Sequence, residues 1–302
     1  MIEYLYLGRV AYDEGLRLQA EIAALRLENR VENVLLLLEH PPVLTLGRNA
    51  RRENVLASDE LLARRGVTLH EINRGGDVTY HGPGQLVGYP IFDLRSLVNG
   101  RGGRLGPVDF VRMLEEALIR VCGVYGVRAG RIAGLTGVWC GLHDIAEDAE
   151  ANSPGPKGRP DQDDSSLYGL KPVPFGSERK IGAIGIHVSR GITSHGFAFN
   201  VATDLRDFQL INPCGITDKP VTSLEREVPA GVHLPGLDEI AHQAARQFGH
   251  VFAQQVLAVE SLDALRGQAA KTEMSAQAED TPLQVPAEVK RLHGDSEPSV
   301  RA

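Results

Sequence analysis

Cys214 and Lys180 are the two residues whose types and settings point to chemistry. Cys214 lies in "NPCGI", residues 212–216, with proline before it and glycine after it. Those flanks place the thiol in a turn, where it can be exposed. The other two cysteines have ordinary settings. Cys122 falls on an amphipathic helical pattern and Cys140 at the end of an apolar strand pattern, where a cysteine is a small buried hydrophobe. A thiol acts as a nucleophile in its thiolate form, which a nearby cation favours. Lys180 opens the apolar run "KIGAIGIHVS", whereas most lysines lie on solvated faces. A lysine at the mouth of such a strand can share a proton with a thiol. His187 and His195 are further candidate bases. Neither a GxSxG elbow nor an HExxH helix occurs in the chain.

Two glycine-rich stretches accompany this pair. "NRGGDVTYHGPGQLVGY", residues 73–89, holds five glycines around two short strand patterns. Such density means either tight turns and sheet bends or a backbone that comes close to a ligand, with Arg74 and His81 as polar anchors. It is neither a P-loop nor a GxGxxG turn opening a helix. In "RKIGAIGIHVSRGITSHGFAFNV", residues 179–201, the small residues Gly182, Ala183, Gly185, Gly196 and Ala198 alternate with apolar ones. Glycine weakens a strand, so its repetition needs a reason, and a groove for an apolar chain would be one.

The elements that must position these residues follow from periodicity. Residues 12–29 carry apolar side chains at helical spacing. Val34–Leu38 is short and wholly apolar, like a strand buried on both faces, and Val43–Leu46 resumes after His40-Pro41-Pro42. "SDELLARRG" reads as a helix capped by Ser58 and stopped by Gly66. "VTLHEI", "VTY" and "QLVGYPIFDL" read as strands, the last with Pro90 suggesting an edge or a bulge. Pro107 starts a strongly amphipathic helix, and "LTGVWC" is a strand. A hairpin turning at about 189–193 joins "KIGAIGIHVSRG" to "TSHGFAFNVA". Residues 236–258 read as a final helix.

Composition bounds the class. The 302 residues, 42% hydrophobic and 24% charged, are those of an ordinary globular protein. Three unevenly spaced cysteines argue against a disulfide framework or a CxxC zinc site and suit a reducing compartment. A net charge of −7 argues against broad nucleic-acid binding. The first twenty residues lack the pattern of a signal or transit peptide, and no stretch reaches the ~20 apolar residues of a membrane span. Residues 142–178 are acidic and rich in Pro, Gly, Ser and Asp, so a disordered insertion is expected there. The expected layout is one domain over 1–262 and a disordered tail over 263–302. Mixed strands and helices give an α/β class, an α+β mixed-sheet sandwich.

Read together and in order, "EHPPVLTLGR", "RGGDVTYHGPGQLVGYPIFDL", "RKIGAIGIHVSRGITSHGFAFNV", "INPCGI" and "VTSLERE" closely resemble the lipoyl(octanoyl) transferases. The match covers most of residues 1–260, apart from the 142–178 insertion. The resemblance implies a fold similar to the catalytic domains of biotin protein ligases and lipoate–protein ligases. It implies transfer of an octanoyl group from acyl carrier protein to a lysine of a lipoyl domain, through a cysteine thioester, in the cytoplasm. The acceptors it implies are the lipoyl domains of 2-oxoacid dehydrogenase complexes and the glycine cleavage H protein, with no cofactor, metal, nucleic acid or membrane. The family cysteine falls on Cys214 and the family lysine on Lys180. The substrate-contacting runs fall on Arg74, Gly75, Gly76, Asp77, Val78, Thr79, Tyr80 and His81, on Ala183, Ile184 and Gly185, and on Gly196, Phe197 and Ala198.

The residues agree with that implication. An ammonium on Lys180 would favour the Cys214 thiolate, and a neutral Lys180 could take the proton of an attacking amine. Acyl carrier proteins and lipoyl domains are typically acidic, so "GRNARR", with Arg48, Arg51 and Arg52, and Arg74 form a candidate docking patch. The rival reading is an ATP-dependent lipoate- or biotin-type ligase. The turn cysteine and the lack of a separate phosphate loop favour acyl transfer. A non-catalytic lipoyl-domain binder is a third reading, which the joint presence of Cys214 and Lys180 opposes.

Overall fold

The strand Asn33–Glu39 (β2) is buried along its length, and its side chains divide by parity. Leu35 and Leu37 enter one apolar core, and Val34, Leu36 and Leu38 enter another on the opposite face. A strand buried on both faces belongs in the middle of a covered sheet. The computed structural model describes residues 1–98, 102–142, 178–212 and 219–279, the last seven by backbone alone. In it β2 lies inside an eight-stranded mixed sheet. The other members are Ile2–Arg9 (β1), Gln85–Ile91 (β6), Ala129–Ile132 (β7), Leu135–Cys140 (β8), Arg179–Ser189 (β9), Ile192–Asn200 (β10) and Val256–Ala258 (β11), ordered β11-β1-β2-β6-β10-β9-β8-β7. A second sheet holds Val43–Leu46 (β3), Thr68–Glu71 (β4) and Val78–His81 (β5), ordered β4-β3-β5.

Helices complete the layers. Pro107–Val124 (α3) and Leu237–Phe252 (α5) cover one face of the large sheet, where Phe92, Phe110, Phe248 and Phe252 meet mostly edge-on or tilted. Tyr12–Leu27 (α1) covers part of the other face with Leu18 and Ile22. Asp59–Arg64 (α2) packs Leu62 under the small sheet, its N-terminus capped by Ser58, whose Oγ accepts from the Leu61 N–H. The one-turn helix Leu224–Glu227 (α4) follows a bridge from Val221 to Lys180. Among the described residues no helix is long and apolar enough to cross a membrane.

Several expectations need correction. The tail does not begin as a disordered segment at 263: Leu262–Glu279 (α6) is helical, and buries Leu265 and Ala269 against the α1 side of the sheet. Its sparse apolar residues conceal this from composition, because two buried positions and an Arg266–Glu21 pair are enough to dock it. The helix expected over 236–258 stops at Phe252, and a strand follows it. Strands β1, β7 and β11 escape a periodicity reading because they are short or only half buried. Pro90 is not at an edge. It sits in β6 between β2 and β10, opposite Leu35, where its missing N–H interrupts the ladder to β10. Residues 143–177, the body of the expected insertion, lie outside the described residues, as does the tail beyond 279.

Candidate active site

Between the two sheets lies a cavity of about 400 Å³. Period-two alternation explains which residues reach it. In β5, Val78 and Tyr80 point into the core of the small sheet, and Thr79 and His81 point into the cavity. In β6, Val87 and Tyr89 face it; in β10, Gly196 and Ala198 do. Ala183, Ile184 and Phe197 complete an apolar lining, and Lys180 stands at one end.

Lys180 reaches this face because of a bulge. Ile181 and Gly182 both turn toward the α3 side, and Ala183 and Gly185 after them face the cavity. Strict alternation would put Lys180 on the opposite side. The register with β8 slips there: Val138 pairs with Gly182, whereas Trp139 pairs with Lys180, leaving Ile181 as the extra residue. Lys180 is only 8% exposed, and its Nζ lies 4.7 Å from the centre of the Trp139 ring. Its backbone is clasped by the neighbouring segment, the Lys180 N–H donating to Pro220 O and the Thr222 N–H to Lys180 O, each at 2.9 Å.

Gly137 makes room for the lysine. Its φ is +129°, and a Cβ there would stand 2.6 Å from Gly182 O and 3.1 Å from Lys180 Cε. The Gly137 N–H donates to Glu115 Oε1 at 3.0 Å. Glu115 is fully buried and also accepts from Arg112 (2.6 Å) and Arg131 (3.0 Å). Three donors satisfy a carboxylate that has lost its water. It thereby holds the turn that places Gly134, Leu135 and Thr136 along the cavity.

A polar relay runs along the other wall. The Arg74 guanidinium is buried and donates to Thr45 O (2.8 Å), Thr45 Oγ1 (2.9 Å) and Gly75 O (3.0 Å). Gln85 Nε2 donates to Tyr80 O and to Asn200 Oδ1, so Gln85 Oε1 is left to accept from His81 Nδ1–H at 2.8 Å. Asn200 Nδ2 then donates to Thr222 O, beside Lys180. Burial lowers the His81 pKa to about 3, helped by the neighbouring His40. His40 donates from Nδ1 to Val10 O and accepts from the Tyr89 hydroxyl at 2.6 Å; burial lowers its pKa to about 4. The imidazoles around the cavity are therefore neutral at pH 7.

His195 closes the end away from Lys180. Its φ is +55°, a left-handed conformation costing a histidine about 1–2 kcal/mol. Pro90 stands opposite and has no N–H to offer. Thr193 Oγ1 donates to Pro90 O at 2.6 Å instead, and the His195 N–H turns to Gln19 Oε1 at 2.7 Å. The ring contacts Asn73 Oδ1 through Nε2 at 2.7 Å, and burial followed by the Arg74 charge lowers its pKa to about 4.

Of the site residues expected from sequence, Lys180, Arg74, Gly76, Asp77, Thr79, His81, Ala183, Ile184, Gly185, Gly196, Phe197 and Ala198 line one cavity. Gly75, Val78 and Tyr80 do not: Val78 and Tyr80 are core, and the Gly75 N–H bonds Ile186 O. Cys214 lies outside the described residues. The glycine at 185 serves close approach more than open space, since a Cβ there would lie 2.6 Å from Gly75 O. Arg74 is withdrawn from the expected surface patch by its burial, and Arg52 pairs with Asp59, whereas Arg48 and Arg51 are exposed. Sequence reading missed Tyr12, Asn49, Val87, Tyr89 and Gly134–Thr136 as lining residues. Val87 and Tyr89 were reachable by continuing the alternation of β6; Tyr12 and Gly134–Thr136 arrive from remote segments.

Comparison with known proteins matches this architecture. Residues 11–249 match the model of the "Lipoyl protein ligase A/B catalytic domain" family. The chain is 55% identical over 266 residues to an octanoyltransferase of Acidobacterium capsulatum, covering 86% of this chain and 94% of the relative. It is 44% identical to one from Koribacter versatilis, covering 98% of both. Among solved structures, a bi-partite lipoate protein ligase from Thermoplasma acidophilum superposes with a TM-score of 0.59 at 16% identity, covering 90% of this chain and 91% of that one. Lipoate-protein ligase A bound with ATP gives 0.56 at 16%, covering 90% and 94%; both likenesses concern the fold. The chain belongs to the lipoyl protein ligase A/B catalytic-domain family and, within it, to the octanoyltransferases.

Proposed function

We infer that the protein is an acyltransferase that moves an octanoyl group onto a lysine of a lipoyl domain, in the cytoplasm, with octanoyl–acyl carrier protein as donor. The observation that carries this reading is a lysine turned by a bulge into an apolar-lined cavity, in a chain whose close relatives are octanoyltransferases. Acyl methylenes buried against Val87, Ala183, Ile184, Phe197 and Ala198 would contribute about 0.8 kcal/mol each.

In the proposed reaction the Cys214 thiolate attacks the donor thioester carbonyl. The carrier thiolate leaves and takes a proton from the Lys180 ammonium, which leaves that amine neutral, and the acyl group rests on Cys214 as a thioester. The amine of the acceptor lysine attacks that carbonyl, and Lys180 accepts its proton as the amide forms and the Cys214 sulfur leaves. The flanks of the segment carrying Cys214 support the pairing. Asn212 donates its N–H to Asn54 O at 2.8 Å, and Pro220 and Thr222 bond the Lys180 backbone. Arg48 and Arg51 are exposed on a loop zipped to the 74–77 turn and could meet acidic partners, including a glycine cleavage H protein.

Intact-mass spectrometry after mixing with octanoyl–acyl carrier protein, without ATP, tests the reading. A gain of one octanoyl group, absent in Cys214→Ala, is the expected result. A gain that survives the substitution moves the nucleophile elsewhere. Labelling only with ATP and free acid puts a ligase in its place.

A further inference from the structure

The two ends of the cavity differ in construction. Its lining stops at the same level on two adjacent strands: Gly185 is the last lining residue of β9 and His195 that of β10. Ile186, His187, Val188, Thr193 and Ser194 lie beyond it. Six strand steps separate Lys180 from Ile186, the partner of His195, a distance of about 20 Å. The space is therefore bounded along its length by Lys180 on one side and an imidazole on the other.

That imidazole is fixed with unusual care. Three features act on one residue: the left-handed backbone, the Gln19 contact to its N–H, and the Asn73 contact to its ring. The adjacent Gly75 N–H to Ile186 O bond draws the glycine-rich loop onto β9 at the same level. A strained residue persists where its surroundings over-determine it, and such residues gather at ligand clamps. Asn73 is exposed, so solvent lies just past the latch.

We propose that His195, latched by Asn73, is the end stop of the cavity and sets the longest acyl chain the protein accepts. This rests on the reading that the cavity holds an acyl group carried beside Lys180. The neutral ring presents a flat, uncharged wall to a terminal methyl group. A longer chain must push the ring aside, break its Asn73 contact and emerge into water.

Two variants test it. Asn73→Ala removes the latch at an exposed position, with little risk to folding. His195→Asn shortens the stop with a residue that tolerates the left-handed backbone. The first readout is binding of free saturated fatty acids, from octanoic to tetradecanoic, by displacement of a fluorescent fatty acid. The second is transfer from the corresponding acyl–carrier thioesters. Wild type is expected to show a sharp upper limit in length. Both variants should raise it, with the dodecanoic-to-octanoic affinity ratio increasing about tenfold in His195→Asn. A ratio unchanged from wild type, or an equal loss at all lengths, overturns the end stop. If the binding limit moves but no thioester acylates the wild-type protein, the end stop stands and the octanoyl-transfer reading falls.

Discussion

Lys180 shares a face of β9 with Ala183, although the two are three positions apart on a strand whose side chains alternate. The extra residue, Ile181, is buried in the core, so the apolar layer is filled while Lys180 faces the cavity. The position of the lysine is a property of register, and register is more exacting than proximity.

Lys180→Gln keeps much of the side chain's length and removes its proton chemistry. Octanoyl transfer should fall by about 10²–10⁴-fold, with the thermal midpoint little changed. Deleting Ile181 should leave Lys180 on the cavity face, because Lys180, Gly182 and Ala183 then alternate regularly, so transfer should persist at a stability lowered by the loss of a buried core side chain. A deletion variant that keeps its stability but loses transfer as fully as Lys180→Gln would argue against Ile181 as the extra residue of the bulge.

Glu115→Gln leaves Arg112 and Arg131 without their common carboxylate and weakens the hold on Gly137. Both arginines are partly exposed, so the expected cost is about 2 kcal/mol, a fall of about 4–8 °C in Tm. Because Gly137 abuts Lys180, kcat should drop beyond the small effect of instability at 25 °C. A stability loss without a kcat change would confine Glu115 to the scaffold.

His40, His81 and His195 carry pKa values of about 4, 3 and 4 in the fold, below the ordinary 6.5. The unfolded chain binds these protons first. Stability is therefore complete above pH 6.5 and falls as the pH drops toward 4, with a slope approaching about 4 kcal/mol per pH unit when all three rings stay neutral. Urea midpoints at pH 7, 6 and 5 measure it. A flat profile would contradict the burial assigned to these rings, and His40→Gln should shallow the slope.

Leu265→Ala should cost about 3 kcal/mol if α6 is part of the core, read as a lowered urea midpoint. Arg266→Ala, which removes an exposed pair with Glu21, should cost less than about 1 kcal/mol. Comparable losses in the two would mean that the ion pair, not the leucine, docks the helix.

Much of the site was legible because it is carried by strands. The alternation in "VTYH" and "GFA" states which side chains share a face, and the apolar run of β2 states that both faces are covered. The bulge was not legible: nothing in "RKIGAIG" distinguishes Ile181 from any other strand residue, and only the pairing with Trp139 reveals it. Pro90 misled because a proline in a central strand needs outside help, here the Thr193 hydroxyl and Gln19, both remote in sequence. The helix α6 was hidden for a related reason. Its docking depends on α1, more than two hundred residues away, and its own composition resembles that of a solvated segment.

Ile2 pairs with Val256 across β1 and β11, and this fixes an order of assembly during synthesis. Strands β1 and β2 leave the ribosome long before β11, so the outer edge of β1 stays unpaired until residue 258 emerges. At 5–20 residues per second that interval is roughly 10–45 s. An open, largely apolar edge exposed for so long invites pairing with other nascent chains. Crowded translation of this chain should therefore depend on holding chaperones in a way that refolding of the finished protein, with both strands present from the start, does not.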